Sequence, residues 1–136
     1  MKRHLGFTLI ELMIALAIIG IIAAIGYPSY REAVNKGHRA EAVQALNDIA
    51  LKQERYRSDH ATYGTCDNVV APSTCTSYNS GLNYYTVAIS GNTGTAYTAT
   101  ATPKNAQQGD RCGTYRFVMS SGTLQKSAAT GQSGCL

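Results

Sequence analysis

The sequence predicts an α+β fold, in which one long N-terminal helix packs against a four-stranded antiparallel sheet. Three observations support this prediction. An apolar run near the N-terminus continues into an amphipathic helical pattern, four short alternating segments follow in the second half, and four cysteines are spaced for local crosslinks. The chain has 136 residues, which is long enough for one domain with an appendage. Its formal net charge is +4.

The first element is an apolar run from Phe7 to Ile25 that contains a single charge, Glu11. As a helix it spans roughly 28 Å, close to the bilayer's apolar core of about 30 Å. Lys2 and Arg3 precede it, so the positive-inside rule places the N-terminus in the cytoplasm and the domain across the membrane. A cleaved secretory signal and a plain membrane anchor are the two alternatives, and neither explains the acid.

Glu11 is the residue in this run that most needs a partner. A carboxylate at the centre of a bilayer costs about 2.5–3.5 kcal/mol or more. A cut after Gly6 would expose the amine of Phe7, about one helical turn from Glu11. Because this amine and the carboxylate can neutralise each other, within one chain or between neighbours, we predict that Glu11 sets the register of subunits during assembly.

The helical pattern continues beyond the membrane segment, and we predict one helix from Phe7 to about Ser58. Pro28 lies inside it and predicts a kink, since proline lacks the backbone N–H. Apolar residues then recur at three- and four-residue steps, which is typical of a helix with one buried face: Ala42, Val43, Leu46, Ile49 and Ala50. Charged residues are expected largely on the other faces: Arg39, Glu41, Lys52 and Arg55.

Residues 59–83 are rich in Gly, Pro, Ser, Thr and Asn and are predicted to form a loop. An even number of cysteines in a small domain outside the cytosol predicts two disulfides, for which three pairings are open. We favour Cys66–Cys75 and Cys112–Cys135 because each closes a local loop. Four reduced, buried thiols in a cytosolic protein are the alternative.

The second half of the chain alternates apolar and polar residues in four short segments, 84–89, 96–102, 111–120 and 123–128. Turn sequences separate them, which predicts an antiparallel meander. The amphipathic helix would cover the apolar face of this sheet and give a two-layer domain. The alternation places Tyr115 and Arg116 on opposite faces.

The sequence contains no motif for catalysis. It lacks a phosphate loop, a dinucleotide fingerprint and zinc-ligand spacing, so no catalytic residue, cofactor or metal is predicted. His38 and His60 are expected to be solvated residues on a helix face. Asp67, Asn68 and Asp110 are too sparse for the clustered oxygen ligands of a calcium site.

Nucleic-acid binding is a separate hypothesis, carried by basic residues near tyrosines in the predicted sheet. Cations can contact phosphates, and tyrosine faces can stack on bases. Solubilising charges around core tyrosines are the alternative. The candidate DNA contacts are Lys104, Arg111, Arg116 and Lys126, with Tyr97 and Tyr115 nearby.

The residues Gly6-Phe7-Thr8-Leu9-Ile10-Glu11 and the apolar run after them resemble the class III signal of type IV pilins. The resemblance implies that a prepilin peptidase cuts between Gly6 and Phe7 and N-methylates Phe7, and that Glu11 is the assembly glutamate. It also identifies Pro28 with the helix-bending proline of type IVa pilins. The pilin fold, with its C-terminal disulfide loop, is implied for the whole chain. The stretch TATPKNAQQGDRCGTYRF with the terminal cysteine is similar to minor pilins of the PilE/ComP type.

This resemblance implies a division into a leader, 1–6, a transmembrane and fibre-core helix, 7–29, and a globular domain, 30–136, with its sheet in 84–136. The implied function is that of a minor pilin in pilus initiation and assembly. A competence pilin that binds DNA, a type II secretion pseudopilin and a major pilin are the alternatives. The implied partners are other pilin subunits, major and minor, the prepilin peptidase and the inner-membrane assembly machinery. The chain is expected in the inner membrane first and in an extracellular fibre after assembly.

Overall fold

A computed structural model describes residues 6–136. The chain forms two compact units, one ending at Val34 and one comprising Asn35–Leu136. The division into leader, helix and globular domain at residues 6 and 29 stays a prediction. The helices are α1 (Leu9–Asp59), α2 (Cys66–Val69) and α3 (Cys75–Ser80), and the strands are β1 (Tyr85–Ser90), β2 (Ala96–Pro103), β3 (Tyr115–Ser120) and β4 (Thr123–Ala128).

Helix α1 begins directly after Thr8 and continues through Pro28. Thr8 lies at the N-cap position, where its Oγ1 accepts a hydrogen bond from the backbone N–H of Glu11 at 3.3 Å. All residues from 6 to 31 are exposed, whereas the part of α1 after Asn35 contributes buried residues to the domain core. The predicted long helix is thus confirmed, and the kink at Pro28 stays a prediction.

The four strands form one antiparallel sheet in the order β1-β2-β3-β4, so the predicted meander is confirmed. Its inner face and α1 share a single core, which contains Leu46 and Ile49 of the helix and Tyr85, Tyr97, Tyr115 and Phe117 of the sheet. Tyr115 is buried and Arg116 is exposed, as the alternation predicts. The α+β pilin-like fold, including its C-terminal disulfide loop, is confirmed.

The connection predicted as a loop over 59–83 contains two short helices, α2 and α3. Each begins at a threonine whose side chain accepts a backbone N–H three residues on: Thr65 from Asn68 and Thr74 from Ser77. Helices of four and six residues are too short to produce a helical hydrophobic period, so the sequence pattern missed them.

Two disulfides are present, Cys66–Cys75 and Cys112–Cys135, with Cα–Cα distances of 5.4 and 5.6 Å. The first joins the starting residues of α2 and α3. The second joins the β2–β3 connection to the C-terminal segment, and both of its cysteines are buried in the core. The crosslinks therefore close the two parts of the domain that have the least regular structure.

Replacing Cys112 and Cys135 with serine is expected to lower the free energy of unfolding by about 3 kcal/mol, because the bridge closes the longer loop. The sequence separation is 23 residues, against 9 for Cys66–Cys75. The matched Cys66→Ser/Cys75→Ser variant should lose about 1 kcal/mol less by the same loop-entropy relation. Denaturant unfolding of the full chain in detergent measures both, and the reverse order of losses would contradict this expectation.

Candidate functional site

The N-terminal half of α1 is an uncovered apolar surface. It contains an 18-residue window of mean hydropathy 2.7, none of which is buried, and it is long and apolar enough to cross a membrane. Large side chains such as Phe7, Ile10 and Ile22 are more than half exposed. Soluble monomers rarely expose a continuous apolar patch of this kind, so the segment is suited to contact lipid or neighbouring apolar helices.

The predicted cleavage site and Glu11 lie at the start of this surface, while leader residues 1–5 lie outside the described residues. Gly6 is exposed, and a Cβ placed on it would meet nothing within 4 Å. Phe7 is 84% exposed. The bond between them is therefore sterically open in the single chain, and a side chain at position 6 would not disturb the fold.

Glu11 also occupies a position suited to a local role that sequence reasoning missed. A capping box has a threonine at the N-cap and a glutamate three residues on, which is the pattern of Thr8 and Glu11. A carboxylate in the first turn also interacts favourably with the positive end of the helix dipole. This local role needs the hydrogen-bonding shape of the side chain, whereas pairing with an amine needs its charge. The two roles can therefore be separated by substitution.

A buried ion pair ties α1 to the connection between β2 and β3. The Nε of Arg39 donates to both carboxylate oxygens of Asp110 at 3.1 and 3.0 Å, and Nη2 donates to Oδ1. Arg39 is only 4% exposed. The expectation that Arg39 lies away from the buried face was wrong, because its partner is 71 residues distant in sequence and provides the charge that allows burial.

His38 lies beside this pair and is partly buried, which corrects its prediction as a solvated residue. Its ring stacks on Tyr84 with 3.5 Å between centroids, and Nδ1 lies 3.1 Å from Oε1 of Gln107. Gln107 is fully buried and donates through Nε2 to the carbonyl of Asn35. His60 is exposed, as predicted, and stacks on Tyr56.

Asp110 makes the stability of the domain depend on pH. Burial alone would raise the pKa of Asp110, but hydrogen bonds and charge from Arg39 lower it below its ordinary value of 3.8. A carboxyl whose pKa is depressed on folding stabilises the fold above that ordinary value and ceases to do so as the pH falls through the lower one.

We therefore expect the free energy of unfolding contributed by Asp110 to be constant above about pH 5 and to decrease below about pH 4. Denaturant titrations of the full chain and of Asp110→Asn at a series of pH values measure this. The Asp110→Asn variant should be less stable at neutral pH and should lose less stability on acidification. Parallel curves for the two proteins would contradict the assignment.

The candidate DNA-contacting cations do not form one continuous patch. Arg116 lies exposed on the outer face of the sheet. Lys126 is opposite Phe117 in the β3–β4 register, on the face that packs against α1, and its Nζ donates to Asn47 at 3.0 Å. Lys104 donates to the carbonyl of Asn79, and Arg111 donates to Gln132. DNA contact by these residues stays a prediction; Arg111, Arg116 and Lys126 are exposed, and Lys104 is partly buried.

The tyrosines placed near those cations are not available to stack on bases. Tyr97 and Tyr115 are 1% and 0% exposed, and both belong to the core. Burial raises the pKa of Tyr97 to about 12. Of the sequence alternatives, the one that treats these tyrosines as core residues agrees with the structure.

An apolar groove of about 590 Å³ lies between α1 and the β3–β4 hairpin, which is a volume typical of small-ligand sites. Leu51, Tyr63, Met119 and Leu124 line it, together with the carboxylate of Glu54. No cation belongs to its lining.

An exposed apolar helix that continues into an α+β domain with a C-terminal disulfide loop defines the class of protein as pilin-like. A family model described as "Type IV minor pilin ComP, DNA uptake sequence receptor" matches residues 28–116, and a second, "Prokaryotic N-terminal methylation motif", matches residues 1–27. The chain therefore belongs to the type IV pilin family, in the minor-pilin group that the first model describes. The methylation-motif match and the exposed apolar helix together indicate a membrane-anchored pilin.

Individual proteins that are similar to this chain include a prepilin peptidase-dependent protein and two fimbrial proteins. The chain is 34% identical to prepilin peptidase-dependent protein D of Escherichia coli K12, over 61% of this chain and 59% of that protein. It is 37% identical to fimbrial protein EcpC of Eikenella corrodens, over 65% of this chain and 58% of that protein. It is 33% identical to the type IV major fimbrial protein FimA of Dichelobacter nodosus, over 74% of this chain and 59% of that protein. The matches thus span about three fifths of the length of these relatives.

Proposed function

We propose that this protein is a structural subunit of a type IV pilus, and that it acts as a minor pilin in pilus initiation and assembly. The observation that carries the proposal is the minor-pilin match over residues 28–116, which continues directly from the methylation motif on the exposed apolar helix. Other pilin subunits would cover that helix in the fibre. The low-abundance role rests on the family model alone.

In this proposal the protein is the substrate of a processing enzyme and catalyses no reaction itself. A prepilin peptidase cuts the exposed Gly6–Phe7 bond and methylates the new amine, and the inner-membrane assembly machinery transfers the mature chain to the fibre. The amine of Phe7 and the carboxylate of Glu11 then pair, within one subunit or between neighbours. The pairing neutralises both charges in an apolar bundle, where an unpaired charge would be costly.

Gly6→Leu is expected to reduce cleavage at least about tenfold, equivalent to about 1.4 kcal/mol of activation barrier. A glycine allows close approach of another backbone, and a leucine side chain would block it. Because a Cβ at position 6 meets nothing in the chain itself, a folding defect is not expected. Mass spectrometry of the membrane fraction and of sheared fibres measures the cut.

Gly20→Ala is the matched control, since a Cβ there also meets nothing within 4 Å. Gly20 lies inside helix α1, far from the cut, so cleavage of this variant should be unchanged. Normal cleavage of Gly6→Leu, with the new N-terminus at Phe7, would contradict the proposed processing site.

DNA binding is the second candidate function, favoured by the description of the matching family model as a DNA uptake sequence receptor. Two exposed candidates are Arg116 on the outer sheet face and Arg111 beside the C-terminal segment, whereas the exposed Lys126 donates a hydrogen bond to Asn47 of α1. Electrophoretic mobility shifts of the full chain in detergent, repeated over a salt series, test it. If Arg116 contacts a phosphate, Arg116→Ala should reduce the salt slope by about 1.

Arg55→Ala is the control for this experiment, since Arg55 is an exposed cation of α1 outside the candidate set. It removes the same charge and should leave the slope unchanged. The absence of any shift at low salt would end the DNA hypothesis while leaving the structural role intact.

A further inference from the structure

The apolar surface of α1 ends at a small group of aromatic and basic residues, Tyr27, Tyr30 and Arg31, which we name the collar. Tyr27 is 64% exposed and Tyr30 is 69% exposed. Their spacing of three and four residues places all three on one face of the helix. The guanidinium carbon of Arg31 lies 5.9 Å from the ring centroid of Tyr27, within the range of a cation–π contact.

The chemistry of the collar matches one environment, the boundary between lipid tails and headgroups. Tyrosine has an apolar ring and a polar hydroxyl tip, and it is enriched at both membrane interfaces. Arginine extends its charge toward phosphates while its stem stays on apolar surface. The collar follows immediately after Ile25 and Gly26, where the apolar run stops. The cation–π contact keeps the Arg31 charge beside the Tyr27 ring.

We propose that the collar binds phospholipid headgroups at the outer face of the membrane and fixes the depth of the helix before assembly. The inference rests on the membrane-anchored stage of the proposed function. It adds a lipid contact site and a defined position along the membrane normal. Packing of the same tyrosines against neighbouring helices is the competing role, and an experiment on unassembled chains in vesicles separates the two.

The collar determines where Glu11 lies in the bilayer. Glu11 precedes Tyr27 by about 24 Å along a helix with a rise of 1.5 Å per residue. With the collar at the outer boundary of a core about 30 Å thick, Glu11 lies about 6 Å from the inner boundary. Its carboxylate is therefore close to the cytoplasmic headgroups, where a charge is less costly than at the centre. Ala17 is the residue expected near the midplane.

The chain has no tryptophan, so a single substitution supplies a unique fluorescent probe. Full-length Tyr27→Trp and Ala17→Trp proteins would be reconstituted in phosphatidylcholine vesicles that carry bromine at different depths of the acyl chain. We expect lipids brominated near the headgroup to quench Tyr27→Trp most strongly, and lipids brominated near the chain end to quench Ala17→Trp. If deep bromines quench Ala17→Trp strongly, while Tyr27→Trp is quenched best by the same deep bromines or is not quenched, the helix is inserted but Tyr27 does not lie at the headgroups. That result would overturn the collar proposal and leave the membrane-anchored stage intact. Absence of quenching in both would overturn the membrane-anchored stage as well.

The headgroup contact is tested in bilayers of equal parts phosphatidylglycerol and phosphatidylcholine, with either lipid brominated. We expect the Tyr27→Trp probe to be quenched preferentially by brominated phosphatidylglycerol. Adding Arg31→Ala should reduce that preference about fivefold, since one basic residue near an anionic surface contributes about 1 kcal/mol. Arg55→Ala, which removes an exposed cation of the second unit, is the matched control and should change nothing. An unchanged preference in Arg31→Ala would overturn headgroup binding by the collar.

Discussion

A Glu11→Ala chain is expected to be cut normally after Gly6 and then to be depleted from fibres by more than about tenfold. The cut bond lies outside helix α1, so the peptidase should still reach it. In the fibre, however, the amine of Phe7 would be left without its carboxylate. Removing one partner of a buried charge pair costs about 2–5 kcal/mol, and each 1.4 kcal/mol is tenfold in an equilibrium.

Glu11→Gln separates the assembly role from the local helix-capping role. Glutamine can replace glutamate in a capping box, but it has no charge to pair with an amine. We expect Glu11→Gln to be excluded from fibres as strongly as Glu11→Ala. The measurement is the ratio of mature protein in sheared fibres to mature protein in the membrane. Normal incorporation of Glu11→Gln, with exclusion of Glu11→Ala, would show that capping is what assembly requires.

Arg39→Met is expected to produce the largest loss of domain stability, about 3–5 kcal/mol in free energy of unfolding. The Asp110 side chain is 1% exposed and would remain buried without its cation. Methionine has a similar volume, so the loss would report mainly the unpaired charge. Urea or guanidinium unfolding of the full chain in detergent measures this difference.

Two further variants test the physical reason for that loss. The double variant Arg39→Met/Asp110→Leu removes both charges and should recover most of the stability, because apolar residues of similar volume often replace buried pairs without loss. Lys52→Met breaks a partly exposed pair with Asp48 at 3.2 Å on the same helix, and it should cost no more than about 0.5 kcal/mol. A loss in Lys52→Met as large as that in Arg39→Met would refute the burial argument.

The periodicity of the sequence was sufficient to predict the helix, the meander and the opposite orientations of Tyr115 and Arg116. These features depend on residues that are neighbours in sequence or lie at fixed strand spacing. The exposed first half of α1 was also predictable, because its residues are apolar on all sides. The relation of Glu11 to Phe7 came from their separation of about one turn, and it stays a prediction that the experiments above test.

The contacts that sequence reasoning missed depend on residues far apart along the chain. Arg39 and Asp110 are 71 residues apart, and His38 and Gln107 are 69 apart, so neither pair leaves a local pattern. The helices α2 and α3 are set by single threonine caps in a segment that otherwise has loop composition. Tyr97 and Tyr115 could serve as core or as stacking surface by sequence, and only the packing of the sheet against α1 decides for the core.

Quantitative mass spectrometry of fibres sheared from the cell surface would decide whether this pilin is a minor subunit of a fibre. Relatives include major fimbrial proteins as well, so abundance decides between the two roles. We predict a small amount of this chain, beginning at methylated Phe7, beside a dominant pilin. A finding that this chain is the dominant subunit would make it a major pilin. Its absence from fibres, with mature protein retained in the membrane, would contradict the pilus role and favour a secretion pseudopilin.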